Sequence, residues 1–450
     1  MAAEIEKLAQ FIAQTQWDDI PQAVQQRTKL VLLDTFGVML AGSEQPEVRA
    51  LQKGLAATAG TGATVYMRGW PVTDPGRAAL VNGIAARTLE LGELHLDVSA
   101  QAAIQILPGI LATAESSGST GREMLAALAV AYDFAIRLAR ATTRRPLAHP
   151  VGQGSLLAAI AAAARIRGLD AAGTSAAVRI GANLMVTASY SNVAAGGTTL
   201  NVNGGVSGFM ASLAPELAIA GFRAQEDAIE QALAHLVGDA FDPSSLLDGL
   251  GTRWEVERNL FRLRACCNPI YPALDALEDC LAELHPKPEE IERIDCGTYA
   301  FAANMRNQDP PNYFGGKYSF PHAAAALAAG RDLAYDAFSE DAMRDPAIAA
   351  LRRRVHIAED PNVKLGGSRL KGGATVTLTL KDGRKATHGV ENDKRYTANV
   401  TEPQVREKFR KLAGVVLTKD GVAAVEEAID GMERWTSIEP LLAALRGHAR

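Results

Sequence analysis

The sequence predicts a mainly α protein, in which a large all-helical domain carries a smaller α+β domain that acts as a lid. Its 450 residues exceed what one hydrophobic core normally holds, so two domains are expected. Alanine, the strongest helix former, is very abundant, whereas aromatic residues make up only 6% of the chain. Helical periodicity gives way to strand alternation after Pro269 and returns near Asn399. These changes place the helical domain at 1–267 with 399–450 and the lid at 268–398.

In the first part of the chain, apolar residues recur at helical spacing. The segment KLVLLDTFGVMLAGS (29–43) is apolar nearly all round, which predicts a buried helix that ends at Gly42. GREMLAALAVAYDFAIRLARA (121–141) gathers basic residues in its last turn, where the helix dipole favours them. A further helix is predicted over GSLLAAIAAAARIRGLD (154–170), and TSAAVRIGANLMVTAS (174–189) follows it. Strand alternation is not evident here, so we expect an all-α domain.

The pattern in the second domain is mixed. IERIDCGTYAFA (291–302) alternates as a strand does, and ATVTLTLKDGRKATHGV (374–390) predicts a hairpin with an Asp-Gly turn. PHAAAALAAGR (321–331) and DAFSEDAMRDPAIAALRRRV (336–355) are typical of helices. The two amphipathic segments after residue 399 should pack back onto the first domain. A helical body with such a lid predicts a ligand site at the domain interface.

Composition argues against nucleic acid and membrane as partners. The formal net charge is −5 and the isoelectric point is about 6.0, so no basic stripe is available for phosphates. The basic run Arg352–Arg354 is interpreted as a solvated helix face. The N-terminal segment lacks the basic-then-apolar pattern of a signal peptide, and no apolar run approaches the roughly 20 residues that span a bilayer. We therefore expect a cytoplasmic protein.

Three further patterns resemble metal or nucleotide sites, and we interpret each of them as structural. Adjacent cysteines cannot easily bind one metal together, which predicts buried thiols at Cys266, Cys267, Cys280 and Cys296. One histidine is too few for a typical metal site in the acidic group Glu90, Glu93, His95 and Asp97. AGGTTLNVNGGVSG (195–208) has neither phosphate-binding fingerprint, so it is expected to be a glycine-rich helix connection that lets the backbone approach the substrate. We expect no cofactor.

Eight stretches, in one order along nearly the whole chain, resemble a known family. They are VLLDTFGVMLAG (31–42), VNGIAARTLELGE (81–93), LPGILATAE (107–115), GSLLAAIAAAARIRGLD (154–170), CCNPIYPALDAL (266–277), GGKYSFPHAAAALAAG (315–330), VTLTLKDGR (376–384) and EPQVREKFRKLAG (402–414). The family they resemble is the MmgE/PrpD superfamily, which includes 2-methylcitrate dehydratase, cis-aconitate decarboxylase and iminodisuccinate epimerase. The resemblance implies a helical domain with a lid, a homodimer, no cofactor, and a small carboxylate as substrate.

The chain departs from the family pattern at several polar positions. The family's aspartate pair resembles Gly92-Glu93 here, and its His-Pro-Ser stretch resembles Gln101-Ala102-Ala103. The remaining family lysines, histidine and tyrosine correspond to Leu200, Arg262, Tyr271 and His322, whereas the family histidine before proline is kept as His149. Replacing a lysine by leucine removes a point charge that would bind a carboxylate. The substitutions therefore indicate a substrate with fewer carboxylates, or one that is bound differently.

Histidine can act as acid or base near neutral pH, so the histidines in family-like segments are the first catalytic candidates. His149 precedes a glycine-rich helix start, where an anion is favoured, and His322 begins an alanine-rich helix. We expect both to lie outside the core. The other catalytic candidates are Lys317, Tyr318 and Tyr271. A guanidinium matches a carboxylate, so the substrate-binding candidates are Arg262, which competes with Arg264, and then Glu93, His95 and Gln101.

Three functions remain open at this point. The first is a lyase, either a dehydratase or a decarboxylase, that acts on a small carboxylate by acid–base chemistry. The second is an isomerase or epimerase of a small dicarboxylate such as an iminodisuccinate-like compound, with a base on each face of one carbon. The third is a catalytically degenerate relative, because several polar residues of the family are missing.

Overall fold

The computed structural model describes residues 2–56, 62–98, 100–363, 372–396 and 398–448. It confirms the predicted fold class, which is mainly helical with a smaller α+β part. The described residues form two compact units. The first contains those of Met1–Ser189, Thr199–Phe261 and Thr401–Arg450, and the second those of Tyr190–Thr198 and Arg262–Val400. Nine residues from the middle of the helical sequence therefore belong to the second unit.

The helices up to residue 261 are α1 (Ala2–Gln14), α2 (Gln22–Gly42), α3 (Pro46–Ala56), α4 (Pro75–Thr88), α5 (Ala103–Ser117), α6 (Gly121–Ala141), α7 (Gly154–Ile166), α8 (Ala171–Ala182), α9 (Tyr190–Ala194), α10 (Thr199–Ile219) and α11 (Ala228–Glu230). Those that follow are α12 (Tyr271–Leu284), α13 (Ala300–Ala303), α14 (Tyr313–Gly316), α15 (Phe320–Ala328), α16 (Glu340–Arg344), α17 (Pro346–Arg352), α18 (Glu402–Ala413), α19 (Lys419–Asp430) and α20 (Glu439–Arg446). In the described part of the chain, none is both long and apolar enough to cross a membrane.

The strands are β1 (Ala63–Thr64), β2 (Val72–Thr73), β3 (Leu94–His95), β4 (Thr142–Arg144), β5 (Gly238–Phe241), β6 (Asn259–Leu260), β7 (Ile291–Thr298), β8 (Val355–Glu359), β9 (Ala374–Leu380) and β10 (Lys385–Val390). The last four form a sheet in the order β10-β9-β7-β8, in which only β7 and β8 run parallel. Helix α12 packs against β9 and β10. Among its described residues, the first unit contains three two-stranded pairs. Helical periodicity did not indicate them, because their strands are too short to show an alternating pattern.

Close packing of α4 against α10 organises the first unit. A Cβ atom on Gly83 of α4 would lie 2.7 Å from Cα of Gly205 on α10, and one on Gly205 would lie 2.3 Å from the carbonyl oxygen of Leu80. The two backbones therefore touch where any larger residue would separate them. The expectation that residues 195–208 form a glycine-rich connection is wrong over most of its length, because 199–208 are helical and their glycines contact another helix.

Two other expectations about burial have opposite outcomes. The four cysteines are buried free thiols, as predicted. The interpretation of the basic run at 352–354 as a solvated face is wrong for Arg352, which is only 7% exposed, although Arg353 is exposed. Arg352 is the last residue of α17, and the arginines after it point in other directions. The sequence alone therefore does not show which of the three turns inward.

The packing of α4 against α10 predicts a strong effect of one methyl group. Gly205→Ala should lower the free energy of unfolding by about 1–3 kcal/mol, because its Cβ meets a backbone carbonyl that cannot move cheaply. Gly54→Ala is the control, since Gly54 lies exposed in α3 with nothing within 4 Å of a Cβ, and the change should stabilise by about 0.5–1 kcal/mol. Chemical denaturation measures both, and equal stabilities of the two variants would contradict the contact.

Candidate active site

The nine residues predicted from the sequence fall into two sets, one in each unit. The first unit holds Glu93, His95, Gln101 and His149, and the second holds Arg262, Tyr271, Lys317, Tyr318 and His322. Their exposed fractions lie between 0% and 8%, so the expectation that His149 and His322 lie outside the core is wrong. Polar groups buried this deeply must be satisfied by hydrogen bonds, and these bonds show how each residue is held.

A chain of hydrogen bonds begins at the C-terminal end of α4. The fully buried Arg87 donates from Nη1 to Oε2 of Glu90, and Oε1 of Glu90 accepts a bond of 3.3 Å from Nε2 of Gln101. Gln105, one turn into α5, donates from Nε2 to the carbonyl oxygen of Gln101 at 2.9 Å. The predicted residue Gln101 therefore belongs to a buried network that also contains an ion pair.

The same network continues from Gln105 towards α7 and α10. Its Oε1 accepts from the backbone N–H of Gly152 at 2.9 Å and from Oγ of Ser207 at 3.1 Å. Gly152 has φ +86°, and a Cβ there would meet the carbonyl oxygen of Val186 at 2.5 Å, so only glycine fits this turn. One amide thus joins α5, α10 and the turn that carries His149.

His149 is held by its own turn. Its Nδ1 accepts from the backbone N–H of Val151 at 3.3 Å, and its carbonyl oxygen accepts from Nε2 of Gln153 at 2.9 Å. Because Nδ1 is an acceptor, the neutral ring carries its proton on Nε2. A histidine with a fixed tautomer on a rigid turn is suited to proton transfer at one defined nitrogen.

Sequence reasoning missed the partners that make this arrangement. Arg87, Gln105 and Ser207 were not selected, and Glu90 was weighed only as a metal ligand. Glu90 adopts φ +54°, a conformation that costs energy in a residue other than glycine and that often marks functional sites. The signal available in the sequence was the spacing of Arg87 and Glu90, opposite charges three residues apart that would share one face if the helix continued past Thr88.

Glu93 has both carboxylate oxygens occupied within the first unit. Oε1 accepts from the backbone N–H of Ala103 at the start of α5, and Oε2 accepts from the hydroxyl of Tyr132 at 2.5 Å. Complete burial raises the pKa of Glu93 to about 7, although both hydrogen bonds act to lower it. These contacts fix the segment that leads to Gln101, and substrate binding by Glu93 stays a prediction.

His95 lies in a separate ionic cluster. Its Nε2 is 3.2 Å from Oε2 of Glu255, and Arg140 holds both oxygens of the same carboxylate at 2.7 and 2.6 Å. Burial lowers the pKa of His95, and the neighbouring carboxylate opposes the shift. Burial acts to raise the pKa of Glu255, but the bonds from His95 and Arg140 hold it well below its usual value. Within the described ranges, no three His, Cys, Asp or Glu side chains are grouped to hold a metal ion.

In the second unit, Tyr271 lies between two guanidinium groups. The Cζ atom of Arg395 is 4.0 Å and that of Arg264 is 5.3 Å from the centre of its ring, and its hydroxyl donates to the carbonyl oxygen of Arg264. Burial raises the pKa of Tyr271. Arg264 is paired with Asp275 and Glu278, so it is not free to act as a carboxylate clamp. A cavity of about 470 Å³ lies beside this group and is lined in part by Tyr271, Arg264, Arg331 and Arg395.

Arg262 and Lys317 both contact the short segment that precedes Asn268. Nη2 of Arg262 donates to the carbonyl oxygen of Cys266 at 2.6 Å, and Nζ of Lys317 donates to that of Ala265 at 3.4 Å. Nζ of Lys317 also lies 4.8 Å from the ring centre of Phe338. These two predicted cations are therefore held together in one unit, whereas Tyr318 packs its ring against Phe314 at 5.4 Å.

His322 is engaged at both ring nitrogens. Nε2 lies 2.8 Å from the carbonyl oxygen of Ala337, and Nδ1 lies 3.4 Å from Nη1 of Arg352. Burial lowers the pKa of His322 to about 4, assisted by the charges of Arg352 and Lys317 and opposed by the bond to Ala337. The ring is therefore neutral at physiological pH, with its proton on Nε2. Its predicted catalytic role stays a prediction.

The raised pKa of Glu93 predicts how stability depends on pH. Folding takes up a proton between the ordinary pKa of 4.5 and the folded value of about 7, so this stabilisation is complete below pH 4.5 and is lost as pH rises through 7. The loss amounts to roughly 3 kcal/mol. Glu93→Gln should abolish this dependence, and Glu226→Gln, at an exposed position, should keep it. Denaturation at several pH values measures the slopes, and parallel profiles of wild type and Glu93→Gln would contradict the assignment.

Comparison with known proteins identifies the family to which the chain belongs. The pattern of the MmgE/PrpD N-terminal domain matches residues 6–239, and that of the C-terminal domain matches 265–434. Cis-aconitate decarboxylase of Aspergillus terreus is 23% identical over 466 residues, which covers 95% of this chain and 93% of the relative. Cis-aconitate decarboxylase-like protein oryM of Aspergillus oryzae is 22% identical over 470 residues, or 98% and 97%. The two domain patterns together cover most of the sequence, and the chain therefore belongs to the MmgE/PrpD family.

Proposed function

We propose that this protein is a cofactor-independent lyase, in which His149 donates a proton to a small carboxylate substrate. The observation that carries the proposal is the buried network that fixes the turn and tautomer of His149. A carbon acid releases or accepts a proton slowly in water, so its catalyst must hold one acid–base group in fixed geometry. The family membership and the two relatives support lyase chemistry at this coarse level.

The chemistry at His149 would differ between the two kinds of lyase. In a decarboxylase, loss of carbon dioxide leaves an electron pair on carbon, and His149 would supply the proton from Nε2. In a dehydratase, His149 would donate that proton to the leaving hydroxyl group, which departs as water, while a second residue takes the proton from the neighbouring carbon. We favour the decarboxylase because both relatives are named for that activity.

Incubation with cis-aconitate, citrate and 2-methylcitrate in deuterium oxide, followed by mass spectrometry, distinguishes the candidate reactions. A decarboxylase gives a product that has lost carbon dioxide and gained one deuterium at carbon. A dehydratase gives a product that has lost water. An isomerase or epimerase returns the substrate with one deuterium in place of hydrogen, and a catalytically degenerate protein leaves all three compounds unchanged. Either of the last two results would contradict the proposal.

His149→Gln should lower kcat by about 10²- to 10⁴-fold, the usual contribution of a general acid or base. His235→Gln is a matched control, because His235 is an exposed histidine of the same unit. Its kcat should equal that of wild type. Circular dichroism and the melting temperature check that both variants are folded. Near-normal turnover by folded His149→Gln would show that another residue moves the proton.

A further inference from the structure

Arg352 is a buried cation that has no anionic partner among the described residues. It is the last residue of α17 and is 7% exposed. In the part of the chain that the structure describes, its only hydrogen-bond contact is the 3.4 Å between Nη1 and Nδ1 of His322, and Nε has no hydrogen-bond partner. The acidic side chain whose charge acts on it most is Asp309, which is exposed and forms no ion pair with it. Its neighbour Arg353, by contrast, points into solvent.

The partner of Arg352 cannot neutralise it. Nε2 of His322 donates its proton to the carbonyl oxygen of Ala337, so Nδ1 of the neutral ring is left to accept from the guanidinium. A neutral acceptor satisfies one of the five N–H groups of arginine and none of its charge. Burial of an uncompensated charge is among the costliest arrangements in a folded protein, and arginines buried in this way are normally paired with carboxylate or phosphate.

A second cation lies near the same pair of aromatic rings. The ring of His322 is 5.6 Å from that of Phe338, and Nζ of Lys317 lies 4.8 Å from the centre of the Phe338 ring. Arg352 contacts His322 and Lys317 contacts Phe338, so two positive charges lie next to this pair of rings. This group, Lys317, His322, Phe338 and Arg352, creates a local positive potential that favours an anion over a neutral ligand or a cation.

We propose that Arg352 binds the carboxylate group of a small organic acid through its guanidinium, with His322 as a neutral residue that orients it. The proposal rests on the lyase function proposed above for the identity of the ligand as a carboxylic acid. It gives His322 a positioning role in place of the catalytic role expected from the sequence. It also adds a carboxylate-binding residue that the resemblance does not include.

The alternative is that Arg352 only stabilises the fold. The two roles predict opposite effects of its replacement on the melting temperature. If Arg352 stabilises the fold, its replacement should lower the melting temperature. An arginine kept for a ligand carries a charge that the empty protein has to bury, so its removal should leave the melting temperature unchanged or raise it. Arg352→Gln removes the charge and keeps a polar amide at this position. Arg353→Gln is the matched control on the exposed neighbour.

The experiment uses the full chain with acetate and succinate as probes, and it follows the melting temperature and the imidazole NMR signals of His322. In wild type and Arg353→Gln, both probes should shift the His322 signals saturably and raise the melting temperature. In Arg352→Gln the affinity should fall roughly 10- to 100-fold, the effect of losing a charge-assisted hydrogen bond. The melting temperature of the empty variant should not fall.

Equal responses of Arg352→Gln and wild type to the probes would overturn the proposal, and so would a lower melting temperature with unchanged affinity. If Arg352→Gln fails to fold, Arg352→Lys keeps a charge and loses the planar fork. It should then bind succinate more weakly than wild type, and equal affinity would overturn the proposal. A wild type that binds the probes through Arg352 but turns over no carboxylate would contradict the lyase function and leave this inference standing.

Discussion

The contact between α4 and α10 is the constraint on which the candidate site in the first unit depends. Glycines on both helices let the backbones touch, with Cβ positions that would lie under 3 Å from neighbouring backbone atoms. This contact places the C-terminal end of α4, which carries Arg87, against Gly204 of α10. Gln105 of α5 contacts Ser207 of α10 and Gly152 in the turn before α7, and these hydrogen bonds connect α5 and α10 to the segment that holds His149.

Buried ions are paired at several places in the described chain. In the first unit, Arg87 lies beside Glu90 and Arg140 beside Glu255, and in the second unit Arg395 lies beside Asp393. Lys408 likewise lies 2.6 Å from Oδ1 of Asp34. Such pairs hold segments in register and oppose the cost of desolvation. In the second unit Arg352 lacks such a pair in the described chain, and this contrast is why a ligand is assigned to it.

Periodicity was sufficient to predict most helices and the hairpin, because each of these elements buries one face at a regular spacing. It failed for α10, whose glycines lower helix propensity but allow close packing that outweighs the loss. The direction of a side chain also could not be predicted, because no local sequence feature distinguishes the buried Arg352 from the exposed Arg353. His149 was selected by resemblance, whereas its partner Gln105 could be found only once α5, α7 and α10 were placed together. The strained backbone at Glu90 likewise has no signature in its residue type.

The central claim is that the buried network presents His149 to the reacting carbon of a carboxylate. A crystal structure of the protein with the carboxylate that the mass-spectrometric assay identifies, or with its unreactive analogue, tests this claim most directly. The account predicts the reacting carbon at about 3.5 Å from Nε2 of His149, the distance of a near-attack geometry. It also predicts that Val151 still donates to Nδ1 of that ring. A ligand bound with its reacting carbon out of reach of His149, while the protein remains active in the crystal, would contradict it.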